Sequence, residues 1–420
     1  MRFRLRLTSS PVGRGLKART MKRRFLFIGI AAVLVGVGAY LAITLSGPSI
    51  PYTYQPPENI NDGLDVGTLD EVSIDSELIE KAMNEINRGK YGEVHSVLVF
   101  KDDKLVLEEY FEGHEYQWDA PNYHGELVAW NRSMPHVLQS VTKSITSACV
   151  GIAIDKGFIG SVDEPIFEYL PEYQYVSTDG KDKITIEHLL AMTSGLEWTE
   201  WNAPYSSRDN PMIEIWFQEA EQDKHPFTFI LEGSLIDEPG TTFRYFGGNQ
   251  VLLGGIIENA TQMDIDEFSA EYLFGPLDID CFDWWSRFES GVIEAAAGLK
   301  MTPRDMVKFG VMYLNDGAWN GEQIVSEQWV EESAVPFGNN EGIDVPGTDE
   351  RDVGYSYSWW TKTFYDAGRE IDVFYALGWG GQSILVFPDL NTVVVFTGGA
   401  YTSTTRTFSL LERYIIPAID

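Results

Sequence analysis

The stretch Leu138-Gln139-Ser140-Val141-Thr142-Lys143-Ser144-Ile145-Thr146-Ser147 places a hydroxyl and an amine three residues apart. Residues three apart share one face of a helix, so Lys143 Nζ can reach Ser140 Oγ. Apolar residues recur at helical spacing from 145 to 153, and Gly157 supplies a C-terminal stop, which predicts a helix. Ser140 then lies in the first turn, where unpaired N–H groups and the helix dipole favour a developing oxyanion.

A serine hydroxyl becomes an effective nucleophile only when a neighbouring group takes its proton. A lysine can do so once burial or another cation lowers its pKa. The Ser-x-x-Lys pattern is weak by itself, because it also fits an N-capping serine followed by a solvated lysine. The catalytic interpretation of Ser140 and Lys143 therefore depends on other parts of the chain.

The composition is that of a globular protein with an uneven distribution of charge. The 420 residues are 44% hydrophobic and 22% charged, with a formal net charge of -32. This length allows one large or two ordinary domains. The first 57 residues hold nine Lys and Arg and no Asp or Glu, so the remainder is strongly acidic. Nucleic acid would be repelled by this acidic part, which argues against it as a partner.

Residues 25–45 form an uncharged run directly after Lys22-Arg23-Arg24. At ~1.5 Å per residue, a helix of this length matches a bilayer core. We therefore predict a basic cytoplasmic segment (1–24), a single-pass transmembrane anchor (25–45), a linker (46–70) and an extracytoplasmic domain (71–420). A cleaved signal peptide with secretion of the domain is the alternative, and Met21 as the true start would leave the anchor intact.

Cysteine and histidine usage indicates neither a metal centre nor any other cofactor. The chain has two cysteines, Cys149 and Cys281, whose pairing stays open. The six histidines are scattered, with no His-Glu-x-x-His pattern, and there is no Gly-x-Ser-x-Gly elbow. Metal-assisted hydrolysis and the α/β-hydrolase fold are therefore disfavoured.

The order of predicted elements indicates an α+β protein. Helices are predicted at 76–88, 302–315 and 407–414, and strands at 95–100, 104–110, 355–363, 383–387 and 392–397. Residues 163–294 are mostly helix and loop. We predict an antiparallel sheet flanked by helices and built from both ends of the chain, with an inserted, mainly helical lobe and the functional cleft between the two parts.

Two later stretches carry further candidate site residues. Within residues 239–254, Tyr245 precedes a glycine pair and an apolar helix. A phenol near a lysine ammonium has its anionic form favoured, so Tyr245 is a candidate base, although for one of twenty tyrosines an aromatic packing role at a turn would ordinarily be favoured. Within residues 376–388, glycines lead into a strand and allow close approach to a ligand, the candidates being Gly378, Trp379, Gly380, Gly381 and Gln382.

In this order, about a hundred residues apart, the three elements resemble the serine hydrolases of the β-lactamase and penicillin-binding-protein superfamily, in particular its class C β-lactamase-related branch. Residues 185–196 and 297–306 are also similar, and the resemblance covers about 70–420. It implies that Ser140 is acylated, with Lys143 and Tyr245 as its partners. It further implies an oxyanion hole made by the amides of Ser140 and Trp379, although a strand register with Gln382 there stays open.

Two departures from the family pattern bear on the substrate. The Tyr-x-Asn element reads Tyr245-Phe246-Gly247, and Asn249, two places late, is a tentative residue of the substrate cleft. The strand element has Ala376 where a Lys or His is expected. Because both changes remove groups that bind a substrate carboxylate, we expect an esterase or amidase acting on a small ester, amide or peptide. The alternative is a non-catalytic receptor for cell-wall fragments.

Overall fold

The fold is built around an antiparallel sheet of seven strands drawn from both ends of the chain, in the order β10-β11-β12-β13-β14-β1-β2. The computed structural model describes residues 51–419. The strands are β1 (Val94–Lys101), β2 (Lys104–Tyr110), β3 (Glu112–Tyr116), β4 (His124–Ala129), β5 (His136–Val137), β6 (Phe282–Asp283), β7 (Lys300–Met301), β8 (Ala318–Trp319), β9 (Glu322–Gln323), β10 (Gly354–Ser356), β11 (Trp359–Asp366), β12 (Arg369–Gly378), β13 (Gln382–Phe387) and β14 (Thr392–Gly398).

Helices cover the sheet and form the inserted lobe. They are α1 (Ser76–Asn87), α2 (Thr142–Asp155), α3 (Ile186–Leu190), α4 (Pro211–Gln222), α5 (Pro226–Leu231), α6 (Gly247–Thr261), α7 (Ile265–Ser269), α8 (Pro303–Leu314), α9 (Glu327–Ala334), α10 (Thr407–Leu410) and α11 (Ile416–Ile419). Between 163 and 294, five helices accompany a single two-residue strand, which confirms the predicted α+β class with a mainly helical insertion.

Local sequence explains how these helices begin and where they pack. The side chain of Asp75 accepts hydrogen bonds from the first amides of α1, and Thr302 caps α8 with Pro303 in the first turn. Helix α8 packs on β13 and β14. A Cβ added at Gly310 would lie 2.6 Å from Val393 Cγ1, so the glycine is what permits this close approach. Strands β13 and β14 are buried along their whole length, as their unbroken apolar runs require.

One predicted strand, 355–363, is in fact two. Tyr357 and Ser358 adopt positive φ values of 37° and 69° and turn the chain between β10 and β11. Two consecutive residues with positive φ make the tight hairpin turn that glycine or asparagine usually supplies. Because neither residue type stands here, the sequence contains no turn signal at this point. The hairpin β3–β4 and strand β12 were not predicted at all.

Two predictions concern the N-terminus and the cysteines. The expected anchor, residues 25–45, lies outside the described residues. Within residues 51–419, no helix is long and apolar enough to span a bilayer. The prediction of a membrane-anchored, single-pass protein is corrected accordingly, because no helix among the described residues could span a bilayer. Cys149 is buried and Cys281 is exposed, and both are free thiols, so the open question of their pairing is answered.

Candidate active site

Ser140 and Lys143 lie in contact at the start of α2. Ser140 occupies a short 3₁₀ turn, Gln139–Val141, that runs directly into this helix. Lys143 Nζ donates hydrogen bonds to Ser140 Oγ and to the carbonyl oxygen of Ala296, each over 2.9 Å. Burial lowers the pKa of Lys143, and the charges of Glu200 and Glu294 oppose this effect. The structure thus brings a buried amine against the hydroxyl, as the three-residue spacing predicts.

Buried polar contacts fix α2 in position. Ser144 Oγ donates to the Ser358 carbonyl over 2.7 Å, and Thr146 Oγ1 donates to the Ala295 carbonyl over 2.8 Å. Gln139, next to the candidate nucleophile, has a φ of 49°. A residue other than glycine is strained in this left-handed region, and residues strained in this way are common at functional sites. The backbone before Ser140 is therefore held in place by the surrounding packing.

Tyr245, among the residues that precede α6, lines the same cavity as Ser140. The Ser140 hydroxyl lowers the pKa of its phenol, and Lys143 Nζ lies 5.0 Å from the centroid of its ring. The ring also stacks on Trp201, with a centroid distance of 5.0 Å. Burial and the charge of Glu200 raise the pKa of Tyr245 well above its usual range, and the Ser140 hydroxyl offsets this only in part. The direction of this shift favours a neutral phenol that can donate, in contrast to the phenolate expected from the sequence.

Two buried carboxyl groups that sequence reasoning missed flank Lys143. Glu200 accepts hydrogen bonds from Trp198 Nε1 (2.9 Å), Tyr205 Oη (2.7 Å) and the Gly247 amide (2.7 Å), so it joins the loop after residue 198 to the start of α6. Glu294 is 5% exposed, and its Oε1 has no hydrogen-bond partner. Burial raises the pKa of Glu294, and the nearby Lys143 opposes the rise.

The candidate oxyanion segment is the turn between β12 and β13. Gly378 pairs with Gln382 across the hairpin, and a Cβ added at Gly378 would lie 2.4 Å from the Leu138 carbonyl oxygen. This glycine therefore packs against the chain just before Ser140. Gly380 and Gly381 have φ values of 91° and 105°, which glycine adopts without strain.

The two remaining candidates, Gln382 and Asn249, have side chains that are bonded in the protein interior. Gln382 donates to the carbonyls of Trp379 (3.0 Å) and Gly398 (2.8 Å) and accepts from the Gly398 amide, so it braces β13 against β14. Asn249 is fully buried in α6, with its amide nitrogen 3.4 Å from the Leu189 carbonyl oxygen. Neither Gln382 nor Asn249 lines the cavities described next.

Two adjoining cavities of about 410 and 430 Å³ open on Ser140. They share a boundary formed by Ser140, Glu200, Tyr205 and Trp379. The smaller cavity is completed by Tyr245, Trp201, Trp360, Gly378 and Gly380 among others, and the larger by Lys143, Glu294, Tyr116, Trp118, Trp216 and Trp285 among others. Among the described residues that line them, Lys143 is the only cationic side chain. The lining is largely aromatic, and Lys143 is the only described lining cation available to the carboxyl groups of Glu200 and Glu294.

Of the two site residues that were not predicted, Glu294 has a clearer sequence signal than Glu200. Glu294 stands three residues before the Ala297–Met306 stretch, so extending that stretch backward would have reached it. Glu200 lies between Thr199 and Trp201 in an aromatic loop with no periodic pattern, and nothing in its spacing indicates a buried acid. Its role arises from contacts with residues such as Gly247, 47 positions away.

Comparisons with known proteins identify the family and the fold. The 6-aminohexanoate-dimer hydrolase of Paenarthrobacter ureafaciens is 28% identical over 264 residues, which are 62% of this chain and 65% of that relative, so the match spans just under two thirds of its length. The solved structure of a putative 6-aminohexanoate-dimer hydrolase from Bacillus anthracis has a TM-score of 0.62 at 20% identity, covering 89% of this chain and 95% of that one.

A D-stereospecific amidohydrolase from a Streptomyces species has a TM-score of 0.56 at 15% identity, with coverage of 82% of this chain and 99% of that chain. At such identities the two structures establish the fold alone. The family model described as Beta-lactamase matches residues 93–406, about three quarters of the sequence and the whole of the candidate site. The chain therefore belongs to the Beta-lactamase family.

Proposed function

We propose that this protein is a serine hydrolase that forms an acyl-enzyme on Ser140 and cleaves a small ester or amide. The observation that carries the proposal is that Lys143 Nζ contacts Ser140 Oγ while the Tyr245 phenol lines the same cavity as Ser140, where two aromatic cavities meet. A nucleophile in contact with a buried amine, with a phenol beside it, is an arrangement that supports acyl transfer.

The reaction has two steps. Ser140 Oγ bonds to the substrate carbonyl carbon while its proton passes to the neutral amine of Lys143. Collapse of the tetrahedral intermediate breaks the bond to the leaving group, which takes a proton delivered through Tyr245 and Lys143. Water then attacks the acyl-enzyme with the same groups acting in reverse, and the acid product leaves with Ser140 restored. No cofactor takes part.

The developing oxyanion needs donors that are already in place. In our proposal these are the backbone amides of Ser140, at the start of α2, and of Trp379 in the β12–β13 turn. The contact of Gly378 with the Leu138 carbonyl supports this choice over Gln382, whose side chain is occupied between β13 and β14. Donors fixed by the sheet and by a helix start lose little energy to reorganisation during the reaction.

The lining of the cleft favours a substrate without an anionic group. Lys143 is the only cation among the described lining residues, and Ala376 is buried where a carboxylate-binding side chain would stand. Aromatic rings dominate both cavities, so we propose esters or amides with apolar groups on one or both sides of the carbonyl. The amide-cleaving names of the relatives support the same substrate class.

A fluorophosphonate probe tests the proposal directly. We expect it to label the wild-type protein and the exposed-serine control Ser133→Ala, and not to label Ser140→Ala. p-Nitrophenyl esters should be hydrolysed by the same two labelled proteins, and nitrocefin only poorly. Absence of labelling in folded wild-type protein would favour the receptor alternative, and equal labelling of Ser140→Ala would exclude Ser140 as the nucleophile. Efficient nitrocefin turnover would contradict the substrate argument.

A further inference from the structure

Three of the six histidines, scattered in the sequence, converge around one carboxylate. Glu93, just before β1, has Oε1 3.0 Å from His114 Nδ1 and 3.1 Å from His95 Nε2, and its Oε2 lies 3.7 Å from His124 Nε2. His114 and His124 face each other from the paired strands β3 and β4, and their rings stack with centroids 4.3 Å apart. None of these four residues takes part in the proposed acyl transfer.

The donor atoms of Glu93, His114 and His124 have the spacing of metal ligands. They lie within 4.8 Å of one another, the one group of three of this kind within residues 51–419. Zinc bonds of ~2.0–2.2 Å imply about 3.3 Å between ligand atoms in a tetrahedral site. Measured to the same oxygen, Glu93 Oε2, the distances are 3.3 Å to His114 Nδ1 and 3.7 Å to His124 Nε2, close to this value. All three side chains are partly exposed, so an ion can enter from solvent.

The surroundings of Glu93 hold it in a fixed orientation. A Cβ added at Gly113 would lie 2.3 Å from His95 Nε2, and one added at Gly399 would lie 2.9 Å from Glu93 Oε1. Both positions must therefore be glycine to leave room for the side chains of His95 and Glu93. His95 is fully buried and is itself oriented through His136, with 2.8 Å between their ring nitrogens. Carboxylate ligands positioned by a second layer of imidazoles are characteristic of protein metal sites.

We propose that Glu93, His114 and His124 bind one zinc ion. Two imidazoles and a carboxylate form a donor set that zinc accepts, with water in the remaining position. The Gly399 carbonyl oxygen, 3.1 Å from His124 Nε2, is the hydrogen-bond partner that His124 would exchange for the metal.

The ion would join the β3–β4 hairpin to the central sheet. This hairpin carries Tyr116 and Trp118, which line the larger cavity, and the Tyr123 ring lies 4.7 Å from that of Trp379. Zinc would therefore stabilise one wall of the cleft without touching Ser140. The role is structural, and it stands whether or not the proposed hydrolase reaction is correct.

Metal titration of the chelator-treated, full-length protein tests the proposal without an activity assay. We expect Zn²⁺ to bind with one equivalent in calorimetry, and Co²⁺ to give a visible absorption band that saturates at one equivalent. Glu93→Gln and His124→Gln should weaken binding at least about 10²-fold. Gln at 124 can still donate to the Gly399 carbonyl, so the hairpin should stay folded.

His225→Asn is the matched control, because Asn can keep the N-cap that His225 provides to α5 while a histidine outside the cluster is removed. It should bind zinc like the wild type, and zinc should raise the melting temperature of both. Absence of stoichiometric binding by folded wild-type protein, or equal affinity in Glu93→Gln and His124→Gln, would overturn the zinc site. If the cluster binds protons but no metal, the folded wild-type protein will show no stoichiometric zinc binding.

Discussion

Lys143 Nζ lies 2.9 Å from Ser140 Oγ while its other hydrogen bond is made to the carbonyl of Ala296. A carbonyl can only accept, so one N–H of Lys143 is committed to Ala296 in either protonation state. A neutral amine keeps a lone pair that can then face Ser140. The contact with Ala296 thus orients the amine toward the hydroxyl, and burial lowers its pKa so that the neutral form is populated more readily.

Lys143→Arg separates the charge of this residue from its ability to accept a proton. Arginine keeps the positive charge but does not deprotonate in proteins, so we expect kcat for a p-nitrophenyl ester to fall about 10³-fold, as in Lys143→Met. Steady-state kinetics and melting temperatures check this. Retention of most of the activity by folded Lys143→Arg would contradict the role of Lys143 as a base.

Glu294→Gln should move the pH profile. Glu294 raises the pKa of Lys143 through its charge, so its removal lowers that pKa and makes the neutral amine available at lower pH. Because Glu294 Oε1 has no hydrogen-bond partner, the isosteric amide should disturb the packing little. We expect the acidic limb of kcat/KM to shift to lower pH in the variant. A shift to higher pH, or no shift, would show that the charge of Glu294 does not raise the pKa of Lys143.

Gly378→Ala should damage activity through a steric clash. The new Cβ would lie 2.4 Å from the Leu138 carbonyl, forcing the β12–β13 turn away from Ser140, and displacements of this size cost about 10²-fold in kcat. Gly368→Ala is the control, since its φ is 87° and no heavy atom lies within 4 Å of the added Cβ. It should lose about 1 kcal/mol of stability and no activity. Equal kcat values for the two variants would argue against the oxyanion role of this turn.

Glu350 provides a pH test of stability away from the cleft. It is fully buried, Tyr375 Oη donates to it over 2.8 Å, and burial, opposed by Lys362, raises its pKa from 4.5 to about 7. The folded protein therefore binds more protons than the unfolded chain between these values. Its stabilising contribution is complete below pH 4.5 and is lost as the pH rises through 7.

Glu350→Gln should remove this dependence. Relative to wild type, the free energy of unfolding of the variant should increase by about 3 kcal/mol between pH 4 and pH 8, which corresponds to the shift in pKa. Urea unfolding at both pH values measures the difference. A difference that does not change with pH would mean that Glu350 is ionised in the folded protein throughout this range.

Elements with a strong local signal were predicted closely. Helix α8 was predicted at 302–315 and runs from Pro303 to Leu314, because its cap and apolar face lie within a few residues of each other. The β10–β11 hairpin was missed because its turn residues, Tyr357 and Ser358, are held at positive φ by their surroundings. The histidine cluster was missed because His95, His114 and His124 meet only once β1 and the β3–β4 hairpin have packed.

The sequence by itself determined that Ser140 and Lys143 share one helix face and that the class is α+β, because helical spacing and hydrophobic periodicity are local properties of the chain. Tertiary structure alone decided that the pKa of Tyr245 is raised, that Glu200 and Glu294 flank Lys143, and that Gly378 packs against the chain just before Ser140. These features depend on burial and on contacts between residues tens to hundreds of positions apart, such as Lys143 with Ala296. Such contacts form only when the helical insertion packs against the sheet, and no local sequence pattern predicts them.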